Sequence, residues 1–416
     1  MNEAQASDTL AFGTAIAGRL ETLGTISDEP DRLTRLYLGP AHRRAADLVA
    51  EWMRAAGMTA HIDAAGNVVG RYDAAESGAR TLILGSHIDT VRDAGRFDGA
   101  LGGAVAIEVV RAAHAAGKRF PFAVEVIAFG DEEGVRFAST LGGSKARAGR
   151  FDMKILDEVD DDGVSRRQAL QAFGCDPSRL AEMPSAPADA FGYVEVHIEQ
   201  GPVLEREGLP VGIVTAIAGV TRGLVEVDGV AGHAGTVPMA MRRDALAAAA
   251  EMLIAVEARA RTRPELVATV GKIDVPGAAT NTIPGRVRFT LDVRSPSDEE
   301  RRSAVADIRQ ALAAVAQRRG VSAQLSLGHE ASAVLCDERL SDRLARAVAA
   351  SGMTPRRLPS GAGHDAMAFA GLIPFAMLFV RCRGGVSHNP AEYASPADID
   401  VAARVLSLFL DEARSQ

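Results

Sequence analysis

A chain of 416 residues exceeds what one ordinary hydrophobic core organises, so two or three domains are expected. With 47% hydrophobic and 24% charged residues it has the balance of a soluble globular protein that buries its cores without staples. A net charge of −8 argues against a nucleic-acid or anionic-membrane partner, which would favour a basic face, but leaves room for a local cationic pocket.

In chain order, apolar residues at helical spacing occupy roughly 9–24 and 41–57, the second stretch opened by Pro40 and closed by Gly57. Short β-rich runs follow in TAHID, NVVGRY and TLILGS (81–86). A helix over about 100–117 leads to FAVEVIAFG (122–130), a near-continuous apolar run of the buried-strand type, and GYVEVHI then ends at His197. This alternation predicts an α/β sheet covered on both faces. From about 212 the pattern changes. GIVTAIAGV, GLVEVDGV, an alanine-rich helix over 242–262, strands near 266–274 and 286–294 and a helix over 297–319 read as β-β-α-β-β-α. Without βαβ crossovers these form a separate α+β unit. After 330, LSDRLARAVAASG, GLIPFAMLFV and PADIDVAARVLSLFLDEA alternate again. The expected organisation is a discontinuous catalytic domain (1–212 and 331–416) interrupted by a smaller domain (213–330). The acidic run DEVDDDG (157–163) reads as a solvated loop.

No apolar run approaches the ~20 residues of a membrane span. The N-terminal MNEAQASDTLAFG lacks a basic stretch followed by an apolar one, so no secretory signal is expected. Cys175, Cys336 and Cys382 are odd in number and far apart, which fits reduced thiols and a cytoplasmic protein.

Chemistry-bearing residues gather where strands end, the place where open α/β sheets bind ligands. GSHIDT carries His87 and Asp89, and RFDGALGG carries Asp98 at a helix start. Asp131-Glu132-Glu133-Gly134 directly follows the strand FAVEVIAFG. HIEQG carries His197 and Gln200, and SHNP carries His388. Each cluster alone is an ordinary strand end; together they deliver imidazoles and carboxylates, ligands that suit zinc, manganese or cobalt. Two neighbouring divalent ions need a bridging carboxylate and about two further ligands each, and His87, Asp98, Glu133, His197 and His388 make that set. None of the glycine-rich stretches has P-loop or dinucleotide spacing.

The motifs GSHIDT, RFDGALGG, DEEGVRF, HIEQGPVLE, GHAGTVPM, GAGHDAM and GVSHNPAE, in order over nearly the whole chain, resemble the hydantoinase/carbamoylase family of amidases. That family lies within the wider group of di-metal aminoacylases and peptidases. The resemblance implies a di-metal aminopeptidase-like α/β catalytic domain with an inserted smaller α+β, ferredoxin-like, lid and dimerisation domain. It implies that Asp98 bridges two metal ions (zinc or manganese, with cobalt or nickel as alternatives), with His87 and His197 completing one site and Glu133 and His388 the other. Glu132 is then the general base. Asp89 orients His87 through its other ring nitrogen, or else caps the strand end. In the inserted domain His233 and Asn281 would donate hydrogen bonds to the substrate carbonyl. Arg294 would grip a carboxylate in a bidentate fork; the alternatives are a surface residue at a strand end for Arg294 and a residue that only serves its own turn for Asn281. Gln200, Arg222 and Gly363 are lesser substrate-binding candidates; His364 reads equally as a helix-start residue. The implied reaction is removal of the terminal carbamoyl group of a small anionic ureido substrate, allantoate first and N-carbamoyl-L-amino acids second. A dipeptidase or deacylase is the weaker alternative, disfavoured by the histidine at 197. A homodimer through the inserted domain is the expected assembly.

Overall fold

The computed structural model describes residues 11–183 and 189–413, so the N-terminal residues 1–10, part of the stretch read for a secretory signal, lie outside the described ones. The chain separates into two compact units, one of residues 1–215, 336–358 and 364–416, the other of residues 216–335 and 359–363. Each has its own hydrophobic core.

The larger unit is organised by a mixed sheet built from β1 (Thr59–Ile62), β2 (Val68–Tyr72), β3 (Thr81–His87), β4 (Ala123–Phe129), β5 (Ala190–Ile198) and β6 (Val211–Ile217), joined late in the chain by β16 (Phe375–Val380). Their order is β1-β2-β4-β3-β5-β16-β6. β4, β3, β5 and β16 run parallel at the centre, and the antiparallel pairs lie outside them. Every residue of β3, β4 and β16 is buried, which is why these strands read as apolar runs rather than alternating ones. The helix Ala100–Ala115 lies close against the sheet: a Cβ on Gly102 would stand 2.1 Å from the Val196 carbonyl oxygen. The parallel strands bring the ends of β3, β4, β5 and β16, with the loops that follow them, to one edge.

The smaller unit holds β7 (Gly219–Asp228), β8 (Gly232–His233), β9 (Val267–Thr269), β10 (Ile273–Asp274), β11 (Thr282–Ile283), β12 (Arg286–Ser295) and β13 (Ser322–Ala331), with helices Ala245–Ala260 and Asp298–Arg319. The main sheet runs β10-β12-β7-β13, with β9 also on β12, all antiparallel. Its inner face (Val225, Val227, Val287, Phe289, Leu291 and Val293) packs with Met252, Val256, Ile308 and Leu312 of the helices. Each such side chain contributes roughly 1.5–3 kcal/mol by leaving water. β14 (Val334–Leu335) pairs with the end of β6, and β15 (Arg357–Ser360) pairs with β6 as well.

Three expectations about elements change. GIVTAIAGV is not a strand of the small sheet, because β6 joins β16 of the large one. The strand expected near 266–274 is broken into two short ones flanking Gly271. β13 was not anticipated: it is an edge strand with one buried residue in ten, so it shows no apolar alternation. The alanine-rich helix starts at Ala245, where the Asp244 carboxylate accepts from the amides of Leu246 and Ala247.

Candidate active site

Asp98 is the focus of the large unit. One carboxylate oxygen, Oδ1, lies 3.1 Å from His197 Nε2 and 3.7 Å from His87 Nε2. The other, Oδ2, lies 3.2 Å from His388 Nε2, which is itself 3.4 Å from Glu133 Oε2. Glu132 Oε2 comes within 3.9 Å of His87 Nε2. The ligand atoms of His87, Asp98 and His197, and those of Asp98, Glu133 and His388, each fall within 4.8 Å of one another, and Asp98 belongs to both groups.

The tautomers show what the cradle is for. His87 Nδ1 lies 3.0 Å from the Asp89 carbonyl oxygen and His197 Nδ1 lies 2.9 Å from the Ile198 carbonyl oxygen. A carbonyl only accepts, so both Nδ1 atoms carry the proton. Both Nε2 atoms then face the same carboxylate oxygen, with 3.5 Å between the two nitrogens. Facing an anion, they need either a proton, as His197 carries toward Asp98 without metal, or a metal cation among them. Asp98 Oδ1 and Glu133 Oε1 are also buried acceptors with no hydrogen bond among the described residues. This donor set fits two divalent ions.

The electrostatics point the same way. Burial, then its neighbours Glu133 and Asp365, pushes Glu132 well above the carboxylate range. Burial, then Asp98, raises Glu133 to about 8. Against the cost of burial, the facing imidazoles of His197 and His388 hold Asp98 well below its ordinary value. The same contacts lift His388 to about 9 and, against burial, His197 to about 9, while burial drops His87 to about 4. Carboxylates converge here without enough positive charge to balance them.

The backbone is bent to make this possible. Asp131, Gln200 and His388 hold φ at 71°, 56° and 54°, a region non-glycine residues rarely enter. Asp131 is fixed by the buried Arg166 guanidinium and by the Gly142 amide at 3.2 Å. Gly99 must be glycine: with φ at 63°, a Cβ would meet the His87 ring at 2.4 Å.

Asp89 does not do what was expected of it. Its carboxylate is 3.8 Å from His87 Nδ1, and its backbone carbonyl makes the bond to that ring instead. The carboxylate oxygens accept from the amides of Glu132 and Glu133, each at 3.3 Å, so Asp89 sets the turn that aims the two glutamates. Gln200 donates from Nε2 to Asp98 Oδ2 at 2.9 Å, a contact to the candidate ligand Asp98.

Sequence reasoning missed Glu392, Ser387 and Glu195. Glu392 Oε1 accepts from the amides of Phe97 and Asp98 at 2.8 and 2.9 Å. Ser387 Oγ bridges Glu392 Oε2 (3.1 Å) and Asp98 Oδ2 (2.8 Å). The only local signal was the position of Glu392 four residues after His388. Glu195 lies beside His197 and His364, but Ser86, Tyr193 and the Ala366 amide already donate to it. His364 is buried with its ring edge-on to His197 at 4.5 Å.

The remaining candidates belong to the smaller unit. β8 pairs with β11 so that Thr282 lies opposite His233, and the Ala234 amide bonds the Asn281 carbonyl at 2.9 Å, which brings His233 and Asn281 together. His233 Nδ1 accepts from the Gly235 amide at 3.1 Å, so the exposed Nε2 carries the proton and is a free donor. Arg222 and Arg294 converge on Asp292. Arg294 Nη1 also donates to the Gly361 carbonyl at 2.7 Å, two residues from the exposed Gly363.

Comparison with known proteins places this geometry in context. The model of peptidase family M20/M25/M40 matches residues 83–412. Allantoate deiminase 1 of Glycine max is 42% identical, over 94% of this chain and 88% of that protein. The N-carbamoyl-L-amino acid amidohydrolase of Geobacillus stearothermophilus is 41% identical, over 95% of this chain and 97% of that one. The crystal structure of a hydantoinase/carbamoylase family amidase from Burkholderia ambifaria superposes with a TM-score of 0.90 at 37% identity, covering 97% of this chain and 98% of that one.

Proposed function

The chain belongs to peptidase family M20/M25/M40 and, within it, to the hydantoinase/carbamoylase amidases, and we propose that its site removes the terminal carbamoyl group of allantoate. It is an amidohydrolase acting on non-peptide carbon–nitrogen bonds. The observation that carries the reading is the shared carboxylate: Asp98 faces His87 and His197 with one oxygen and His388 with the other.

In this reading His87, His197 and Asp98 would hold one divalent ion, and Asp98, Glu133 and His388 the other. Bound there, the ions would polarise the carbamoyl oxygen and acidify a water. Glu132, whose proton affinity is raised by burial and by Glu133, would as a carboxylate accept a proton from the attacking water and hand it to the leaving nitrogen. His233 Nε2–H and the Asn281 amide donate to the carbonyl oxygen as it gains charge. Arg294 takes the substrate carboxylate on the N–H groups not held by Asp292 and Gly361. The bond from the carbamoyl carbon to the leaving nitrogen breaks, and the carbamic acid released decomposes to ammonia and carbon dioxide.

Allantoate is placed first because relatives named for it match at 42% identity. The runner-up, an N-carbamoyl-L-amino acid, is favoured by the near-equal match to a carbamoylase. Ammonia release by manganese-loaded protein, with allantoate and N-carbamoyl-L-amino acids at matched concentrations, decides between them. Silence on both with two ions bound per chain would reject the reading. We also infer a homodimer through the smaller unit, whose helix Ala245–Ala260 exposes Ile254 (68%) and Leu246 (37%) and whose edge strand β13 pairs on one side among the described residues. Light scattering of the eluting protein tests it.

A further inference from the structure

The outer face of the small unit's sheet carries three charged rows that differ in balance. Asp228 meets Arg286 at 2.6 Å, one charge against one. Arg288 meets Glu226 at 2.9 Å and has Asp274 opposite it on β10, so that row has an acidic excess. The third row, Asp292 opposite Arg222, is joined by Arg294 from the next row, and the balance there is the reverse. Asp292 Oδ2 accepts from Arg222 Nε at 2.9 Å and Arg294 Nη2 at 3.1 Å, and Oδ1 accepts from Arg294 Nε at 2.8 Å. Two guanidiniums share one carboxylate.

The register isolates this cluster. Ser326, Leu224 and Thr290 form an uncharged row between it and the Glu226–Arg288 row, with Lys272 bonded to the far side of Thr290. Thr269 and Val267 flank it on β9, and His329 stands opposite Arg222 on β13. Of the five N–H groups of Arg294, two go to Asp292 and one to Gly361, which among the described residues leaves two for a ligand. One positive charge and two donors are therefore in surplus at the same place.

We propose that Asp292 is a specificity-determining residue: it sets the Arg222–Arg294 pair to one net positive charge, so that the site accepts a ureido acid with a single carboxylate and selects against one with two. This rests on the reading of Arg294 as the carboxylate anchor. Asp292 acts in two ways. Its bonds to Nε and Nη2 fix the plane of the Arg294 guanidinium, and its charge repels a second carboxylate brought close to the first.

The test uses N-carbamoyl-L-aspartate and N-carbamoyl-L-asparagine, which share a shape and differ by one charge. Their kcat/KM values are compared for metal-loaded wild type and Asp292→Asn, or their inhibition constants if neither is turned over. Wild type is expected to favour the asparagine derivative. Asp292→Asn is expected to raise the aspartate-to-asparagine ratio about five- to tenfold at low ionic strength, an effect that shrinks with added salt because these side chains are partly exposed. An unchanged ratio, even with both values reduced, would overturn the proposal and leave Asp292 a merely structural partner. If Asp292→Asn does not fold, Arg222→Gln removes the surplus charge while sparing the Asp292–Arg294 pair, and the ratio must then fall. Arg294→Ala separates the two readings: unchanged apparent affinity for both probes would remove the anchor itself, whatever Asp292→Asn does.

Discussion

Around Asp98 several groups are held from behind. Glu392 grips the backbone of its loop, Ser387 and Gln200 hold one of its oxygens, and carbonyls orient two of the facing imidazoles. Around His233 and Arg294 the support is slighter. His233 stands on a ribbon of two-residue strands, and Arg294 is set by partly exposed ion pairs of the kind that contribute little to stability. The contrast matches what each region is proposed to bind. Divalent ions need several ligands at fixed distances, and a loosely held ligand forfeits affinity, so strained backbone is tolerated at Asp131, Gln200 and His388. A substrate must enter and leave, so donors on an exposed face serve better.

The comparison breaks first at Asp98. Asp98→Asn should reduce bound metal from two ions per chain toward none, read by elemental analysis, and take turnover below detection. Glu132→Gln should keep both ions yet lose about 10²–10⁴-fold in kcat; full turnover with metal retained would remove the proposed base. Glu392→Gln touches no ligand side chain, and metal affinity measured by chelator competition should weaken roughly 10–100-fold. Arg294→Ala should leave metal content unchanged and raise KM for anionic substrates about 10–100-fold, the loss of a charged hydrogen-bonded contact. The smallest effect is on stability. In metal-free protein His197 and His388 are raised to about 9 and Glu133 to about 8. Each therefore stabilises the fold below its unfolded value and loses that contribution as pH rises through its folded one. Melting temperature without metal should fall by a few degrees from pH 7 to pH 9. His87, lowered to about 4, acts in the opposite direction but only below about pH 6.5. Metal loading should abolish the fall, because the ions need the deprotonated ligands.

The legible part of this protein was the part written in local chemistry. Buried parallel strands announce themselves as apolar runs, and His87, Glu132–Glu133 and His197 lie on or next to them. Less legible was anything defined by what stands opposite. β13 carries one buried residue and so no period, although it pairs with β7 along most of its length. The resemblance implied that the Asp89 side chain orients His87, with a strand-end cap as the alternative; in the fold its carbonyl meets that ring, and its carboxylate goes to amides 43 and 44 residues away.

By itself, then, the sequence determined the repertoire: which residue types arrive at strand ends, in what order, and which family of chemistry they suit. Only the tertiary structure decided the assignments, and the reason is geometric. Glu392 and Phe97 are 295 residues apart yet share a hydrogen bond, and Arg222 reaches Asp292 across 70 residues because two strands pair in that register. Hydrogen bonding and charge act over a few ångströms of space, so a residue's role is set by its spatial neighbours, which linear spacing does not encode.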